Sequence, residues 1–185
     1  MGGTLSPEYS MKPLVQVGQA YMALSEGEEN LRNSRFEEAA ASYNRAMTVS
    51  RTIPEDEAYD HQGFDALCHT GLSGAMVSLG HFKEALASAD IAMHYFNRRG
   101  ELNQDEGKHW INAVHYRAAA LDGTGRPEEA LKAYRMVSEM IAERKAEMPD
   151  KEELLRIVEQ HISSLSGSVS DKKPAGYKAW WEFWS

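Results

Sequence analysis

The stretch His81-Phe82-Lys83-Glu84-Ala85 decides the fold, because related stretches occur on both sides of it at nearly equal spacing. Arg35-Phe36-Glu37-Glu38-Ala39 precedes it, and Arg126-Pro127-Glu128-Glu129-Ala130 follows it. The second residues of these stretches are 46 and then 45 residues apart. A period in this range is typical of stacked helical units, each of which buries its apolar face only against its neighbours. The spacing therefore predicts a protein of three repeats.

The segments between these stretches have the periodicity of helices and few strand signals. We predict six helices that pair into three hairpins, near residues 11–31, 36–52, 56–79, 82–97, 103–121 and 127–147. A seventh helix, at 151–165, has no partner and is expected to cover the end of the stack. Ser34 with Glu37 predicts a capping box at the second helix, and Asp56 and Asn103 are predicted caps of the third and fifth.

These predictions divide the chain into an N-terminal extension (1–10), a helical domain (11–165) and a flexible tail (166–185). Within the domain, the repeats cover about 11–55, 56–100 and 101–147, and the capping helix covers 150–165. The tail begins with a run rich in serine and lysine, a composition typical of flexible segments.

The composition is that of an acidic globular protein, with 185 residues and a formal net charge of −8. Such a charge repels phosphate backbones, which argues against a nucleic-acid partner. Cys68 is the only cysteine, so an intrachain disulfide is excluded and a reducing compartment fits. The sequence shows no signal peptide and no apolar stretch of the ~20 residues that a membrane span needs. We therefore expect a cytoplasmic protein of bacterial type.

The repeated positions resemble those of the tetratricopeptide repeat (TPR) family, in which a turn residue, an aromatic residue and small residues recur at set offsets. The turn positions are Ser34, Gly80 and Gly125, and the aromatic positions are Phe36, Phe82 and, as a departure, Pro127. The positions that follow in the second helices are Ala39, Ala85 and Ala130, then Tyr43, Ala89 and Tyr134, then Ala46, Ala92 and Val137. In the first helices the small residues are Gly27, Ser73 and Ala118.

This resemblance implies an all-α, TPR-like right-handed superhelix of three antiparallel helical hairpins plus a C-terminal capping helix. The repeats are 11 to 12 residues longer than the usual ~34, so the chain is similar to small bacterial members with long helices. The family also implies a non-catalytic role in protein–protein interaction, without a cofactor.

In the TPR family the first helix of each hairpin usually lines a concave groove that binds a peptide or a partner helix. Projected onto this chain, that arrangement predicts the groove residues Tyr21, Leu24, Glu28, Phe64, Leu67, Gly71, Gly74, Asn112, His115 and Tyr116. Some members hold a peptide's carboxylate end with basic groove residues. Here only His115 is a potential cation at the matching positions, and Glu28 would repel a carboxylate. An apolar or basic peptide therefore fits better.

Three glycines of the third helix, Gly63, Gly71 and Gly74, each cost about 0.5–1 kcal/mol relative to alanine. That cost indicates that another group approaches this helix closely. Two interpretations remain open: a peptide lies in the groove, or a neighbouring helix packs tightly against the glycines.

His61, Asp65 and His69 follow one another at intervals of four residues on the same helix. A metal-binding protein or a metal-dependent enzyme is therefore an alternative. However, eight residues span ~12 Å along a helix, too far for one ion to join both histidines without ligands from a second helix. Hydrogen bonding to neighbouring helices is the simpler interpretation.

The end of the chain contains three of the four tryptophans. The predicted aromatic anchor consists of Tyr177, Trp180, Trp181, Phe183 and Trp184. Burying each such ring contributes ~1.5–3 kcal/mol, which favours a bound state for this segment. Three hypotheses follow: it packs on its own chain or on a twin in a homo-oligomer, it binds another protein, or it enters the membrane interface. The acidic composition argues against anionic lipid.

Overall fold

The structure is a computed structural model that describes residues 7–168, with side chains from residue 13 to 167. This part of the chain forms seven helices and no strand: α1 (Pro7–Arg32), α2 (Phe36–Ser50), α3 (His61–Ser78), α4 (Phe82–Arg99), α5 (Gly107–Gly123), α6 (Pro127–Glu143) and α7 (Lys151–Ser168). The pairs α1/α2, α3/α4 and α5/α6 pack as hairpins, and α7 packs on α6. The predicted all-α stack of three hairpins with a capping helix is confirmed.

The turn inside each hairpin has the same backbone conformation in all three repeats. Ser34, Gly80 and Gly125 each have a positive φ, of 58°, 76° and 75°. In every turn the residue that follows donates its N–H to a carbonyl five positions earlier, as Arg35 does to Asn30 at 2.9 Å. This is the Schellman pattern, in which a left-handed residue ends a helix. The three predicted turn positions are therefore structurally equivalent.

Two predicted helix caps are wrong. Arg35, rather than Ser34, is the N-cap of α2, and no side chain caps that helix, because Ser34 belongs to the left-handed turn. Asp60, rather than Asp56, is the N-cap of α3, and its Oδ1 accepts a hydrogen bond of 2.9 Å from the Gly63 N–H. α3 consequently begins at His61, several residues later than predicted. An aspartate suits the start of a helix at either position, so the sequence alone did not distinguish Asp56 from Asp60.

The prediction that Asn103 caps α5 is wrong as well. Glu106 is the N-cap and makes no side-chain hydrogen bond to the helix. The Asn103 side chain instead accepts a hydrogen bond of 2.7 Å from the Lys145 N–H. The guanidinium of buried Arg144 donates to the carbonyls of Leu102 and Gln104. These bonds tie the loop before α5 to the end of α6 and so fix the third hairpin.

The core consists of the equivalent small and aromatic positions of the repeats. The positions that the resemblance aligned are fully or almost fully buried: Ala39, Ala85 and Ala130, Tyr43, Ala89 and Tyr134, and Ala46, Ala92 and Val137. One cluster lies around α1 to α3, and a larger one extends from α3 to α7. Leu67 of α3 packs against both clusters and so connects the first repeat to the others.

Both ends of the helical domain extend beyond their predicted limits. α1 begins at Pro7, so residues 7–10 are helical, and residues 166–168 form the end of α7 rather than the start of a tail. The predicted aromatic anchor, Tyr177 to Trp184, lies outside the described residues. Within residues 7–168, no helix is both long enough and apolar enough to cross a membrane.

Candidate interaction groove

The first helices of the hairpins and the start of α7 surround a cavity of about 520 Å³. α3 packs against both α1 and α5, so these three helices form one continuous wall. The lining residues are Glu28, Leu31 and Arg32 of α1, Tyr43 of α2, Leu67, Thr70 and Gly71 of α3, Lys108, His109, Asn112, His115 and Tyr116 of α5, and Met148, Pro149, Asp150, Glu153, Leu154 and Ile157 at α7. We call this cavity the groove. Its volume lies within the ~300–1,000 Å³ of natural ligand pockets.

The structure brings six of the ten predicted groove residues to this cavity. They are Glu28, Leu67, Gly71, Asn112, His115 and Tyr116. Leu24 and Phe64 lie instead in the buried cluster around Tyr43, and Gly74 is buried within α3. Tyr21 is 49% exposed outside the groove, with its ring 5.1 Å from that of Phe64. That the six residues bind a ligand remains a prediction.

Two tyrosines occupy the space that the glycines of α3 leave free. A Cβ added at Gly71 would come closer than 3.0 Å to the ring of Tyr43, and one at Gly74 would lie 2.7 Å from Tyr116 Cζ. A Cβ at Gly63 would meet the Asp60 side chain and the Tyr95 hydroxyl. Tight packing by the chain's own side chains therefore accounts for the three glycines. Both Tyr43 and Tyr116 also line the groove, so the absence of a side chain at Gly71 and Gly74 makes room for two of its lining residues.

The two histidines of the groove are neutral at physiological pH. Burial lowers the pKa of His115 to about 4, with a smaller contribution from His161. Burial, with the nearby cations Lys108 and Arg144, likewise lowers the pKa of His109 to about 4. At the positions where some TPR proteins hold a carboxylate, His115 was the one potential cation in this sequence. At neutral pH its imidazole is uncharged.

The fixed charges of the groove are therefore three carboxylates and two cations. The carboxylates are Glu28, Asp150 and Glu153, and the cations are Arg32 and Lys108. Hydrogen bonding to Arg156 holds the pKa of Glu153 below its usual range, so this carboxylate is charged at neutral pH. The side chains between these charges are mostly apolar, including Leu31, Leu67, Leu154 and Ile157.

The contribution of α7 to the groove was not predicted. Six residues from Met148 to Ile157 form one side of it, whereas the sequence pattern gave α7 only a capping role. Behind them, His161 of α7 stacks on Tyr134 with ring centroids 4.7 Å apart and planes 9° apart. His115 lies 6.1 Å from the same tyrosine ring. The sequence did indicate that α7 packs on the stack, because this helix has apolar positions and no eighth helix to pair with. It did not indicate that those positions line the groove.

The histidine pair considered as a metal site lies away from the groove. His61, Asp65 and His69 are half-buried on α3, and each has a buried polar atom without a hydrogen-bond partner in the described residues. Burial lowers the pKa of His69, although Asp65 opposes this. In this part of the chain, no group of three or more His, Cys, Asp or Glu side chains is arranged to hold a metal ion. The second helix that the metal hypothesis required does not supply ligands there.

The stacked hairpins and the groove on their inner face define a TPR-like helical repeat protein. A crystal structure of a TPR-like protein from Chlorobium tepidum TLS, solved at 2.54 Å resolution, is similar to this chain with a TM-score of 0.80 and 55% sequence identity. The similarity covers 84% of this chain and 99% of the solved one. The model of the family described as Domain of Unknown Function (DUF3856) matches residues 12–154, and the chain belongs to this family.

No match was found among the curated proteins. The resemblance to TPR proteins is thus confirmed as a TPR-like fold, and the family that the comparisons establish is DUF3856. The family match ends within α7, at residue 154, and includes α1 from residue 12 onward and all of α3 and α5.

Proposed function

We propose that the protein is a non-catalytic interaction module that binds a peptide segment or a helix of a partner protein in the groove. The observation that carries this proposal is the cavity of about 520 Å³, to which all three repeats and α7 contribute side chains. A concave surface built from several repeats presents apolar pockets along one line, as peptide recognition requires. The TPR-like fold of the similar crystal structure supports this class of function.

The charges and apolar side chains of the lining residues favour one kind of ligand. Leu31, Leu67 and Ile157 offer apolar contacts, and Glu28, Asp150 and Glu153 supply carboxylates, the last of which is paired with Arg156. A ligand with one or more large apolar side chains flanked by lysine or arginine gains both contacts. A free carboxylate gains no charge pairing from His109 and His115, which are uncharged at neutral pH, and its potential cationic partners in the lining are Arg32 and Lys108.

We also propose a cytoplasmic location, which the state of the single cysteine supports. Cys68 is buried, and burial, together with Asp65 and Glu28, raises its pKa to about 12. The thiol therefore stays protonated and inert at neutral pH, and the protein needs no oxidising compartment for stability.

Selection of peptides from a random library displayed on phage tests the interaction function. The full chain is immobilised, and the affinities of enriched synthetic peptides are measured by fluorescence anisotropy. We expect sequences with aromatic or aliphatic anchors and basic flanks. Asn112→Arg introduces a large cation into the groove and is expected to weaken binding at least ~10-fold, by steric overlap and charge repulsion.

The matched control is Ile91→Arg, which adds the same side chain at a 51% exposed position of α4 outside the groove. The affinity of this variant for the selected peptides should equal that of the wild type. Failure of the library to yield any binder, or equal loss of affinity in both variants, would refute the proposed groove function.

A further inference from the structure

We propose that the resident occupant of the groove is the chain's own aromatic segment, residues 177–184, docked within the same molecule. A partner peptide then binds by displacing this segment. The inference rests on the proposed function, since it names what competes for the same groove. It follows from where the described helices end, from the charges of the groove and from the composition of the remaining chain.

The path of α7 brings the following segment within reach of the groove. Ile157 lines the groove, and Ser168 ends the helix 11 residues later, ~16 Å further along its axis at 1.5 Å per residue. Tyr177 follows nine residues after Ser168, and an extended chain spans up to ~30 Å over that distance. The chain can therefore fold back along α7 and place its aromatic residues against Leu154 and Ile157.

The chemistry of the segment complements that of the groove. Residues 169–185 contain three lysines against two carboxylates, whereas the chain as a whole has a formal net charge of −8. Lys178 lies directly among the aromatic residues in the sequence, and the groove lining includes the carboxylates Glu28 and Asp150, besides Glu153, which is paired with Arg156. Tryptophan supplies large apolar area at low conformational cost, which suits an anchor in a pocket lined by leucine and tyrosine.

Docking within one molecule has a consequence for affinity. A short tether holds the segment at an effective concentration in the ~mM range, so even weak intrinsic binding fills the groove. A free peptide then sees only the fraction of molecules in which the groove is open. Removing the anchor side chains should therefore increase the affinity for a peptide without any change to the groove.

The first test reads the environment of the tail tryptophans in the full chain. Trp110→Phe leaves Trp180, Trp181 and Trp184 as the only tryptophans. In this background we expect blue-shifted emission and weak quenching by acrylamide. Asn112→Arg should shift the emission to that of solvated tryptophan, and Glu153→Lys should shift it partly in the same direction. The control Glu152→Lys makes the same charge change one residue away, outside the groove lining, and should leave the emission unchanged.

The second test does not depend on the Trp110 variant. Trp180, Trp181 and Trp184 are replaced together by alanine in the full chain, and a fluorescein-labelled synthetic peptide of residues 175–185 is titrated against it. We expect binding to this variant, binding at least ~10-fold weaker to the wild type, whose groove is filled, and loss of binding when Asn112→Arg is added. Light scattering should give a monomer for both chains.

The outcomes separate this inference from the proposed function. If library-selected peptides bind the groove but the 175–185 peptide does not bind the alanine variant, the docked segment is refuted and the interaction function stands. If no peptide binds, both fail. A dimer of the wild type that becomes a monomer in the alanine variant would refute docking within one molecule. Met22→Lys changes a 73% exposed position of α1 outside the groove. If the tail emission responds to this variant but not to the groove variants, the segment docks elsewhere and the inference is refuted.

Discussion

Tyr43 of the first repeat packs against Gly71 of the second so closely that no side chain could be added at this glycine without displacing the ring. A Cβ there would come closer than 3.0 Å to the ring and hydroxyl of Tyr43. Tyr43 is 1% exposed, and its ring also packs on Gly27 of α1. One side chain thus connects α1, α2 and α3 and also lines the groove.

Replacement of Gly71 by alanine should destabilise the protein. The added methyl group improves helix propensity by ~0.5–1 kcal/mol, but overpacking against a buried ring costs ~1–3 kcal/mol. We expect a net loss of about 1–2 kcal/mol in the free energy of unfolding, measured in urea.

Gly18→Ala is the matched control, because a Cβ at Gly18 of α1 has no atom within 4 Å. Here only helix propensity changes, so a gain of ~0.5–1 kcal/mol is expected. Equal stability changes of the two variants would show that the Tyr43–Gly71 contact does not constrain the fold.

Ser34→Gly should stabilise the first hairpin. Ser34 has φ 58°, a left-handed conformation that costs ~1–2 kcal/mol for a residue with a Cβ, whereas glycine adopts it freely. Part of this gain is offset by the greater freedom of glycine in the unfolded chain, which leaves ~0.5–1 kcal/mol. Chemical denaturation measures it.

The converse change tests the same turn in the second repeat. Gly80 has φ 76° and open space around its missing Cβ, so Gly80→Ser should lose ~1 kcal/mol through backbone strain alone. A stabilising Gly80→Ser, or a destabilising Ser34→Gly, would contradict the equivalence of the turns.

The pair Asp60 and Tyr95 should contribute to the attachment of α3 to α4. The Tyr95 hydroxyl donates a hydrogen bond of 2.6 Å to Asp60, which also caps α3. Partial burial alone would raise the pKa of Asp60, but the hydrogen bonds from Tyr95 and Gly63 outweigh it and hold the pKa below its usual range. We expect a loss of ~1–2 kcal/mol for Tyr95→Phe, since the acceptor is charged.

Asp60→Ala alone removes both this hydrogen bond and the cap of α3. A double-mutant cycle that combines it with Tyr95→Phe cancels the loss of the cap and so isolates the hydrogen bond. A coupling energy of about 1 kcal/mol is expected at pH 7. It should decrease in acid, as protonation of Asp60 removes the charged acceptor. Additive losses at pH 7 would show that the hydrogen bond does not contribute.

His115 should make the stability of the protein depend on pH. Its folded-state pKa of about 4 lies below the ~6.5 of an unfolded chain, so the unfolded state binds more protons between these values. The free energy of unfolding therefore falls as the pH falls from 6.5 to 4, by on the order of 3 kcal/mol from this group. His115→Gln removes that contribution, so its pH profile should be flatter than that of the wild type. Parallel profiles would contradict the burial of a neutral imidazole beside Tyr134 and His161.

The fold could be predicted from the sequence to the level of individual repeat positions, and the reason is local. Ala39, Ala85 and Ala130 recur because three equivalent helix crossings each need a small side chain there. Caps were harder to predict, because Asp56 and Asp60 both suit the start of a helix and only the position of Tyr95 favours the second. That preference depends on a contact between residues 35 positions apart.

The groove could be predicted in part. Its α1, α3 and α5 walls follow from the resemblance to TPR proteins, which placed Glu28, Leu67 and Asn112 there. The α7 wall could not be predicted in this way. α7 has no counterpart among the repeats, so nothing in the sequence indicated which of its residues face the other helices. Similarly, the neutral state of His115 depends on the helices that bury it, and the residue type alone suggested a cation.

Photo-crosslinking of a selected peptide, with benzophenone at its apolar anchor, tests the central claim most directly, because it reports the bound site on the protein. Mass spectrometry identifies the labelled residues of the full chain. The account predicts labels on α3, α5 and the first half of α7, at or beside Leu67, Asn112 and Ile157, and their loss in Asn112→Arg. Labels confined to the outer surface of the second helices, such as near Ile91, would contradict it.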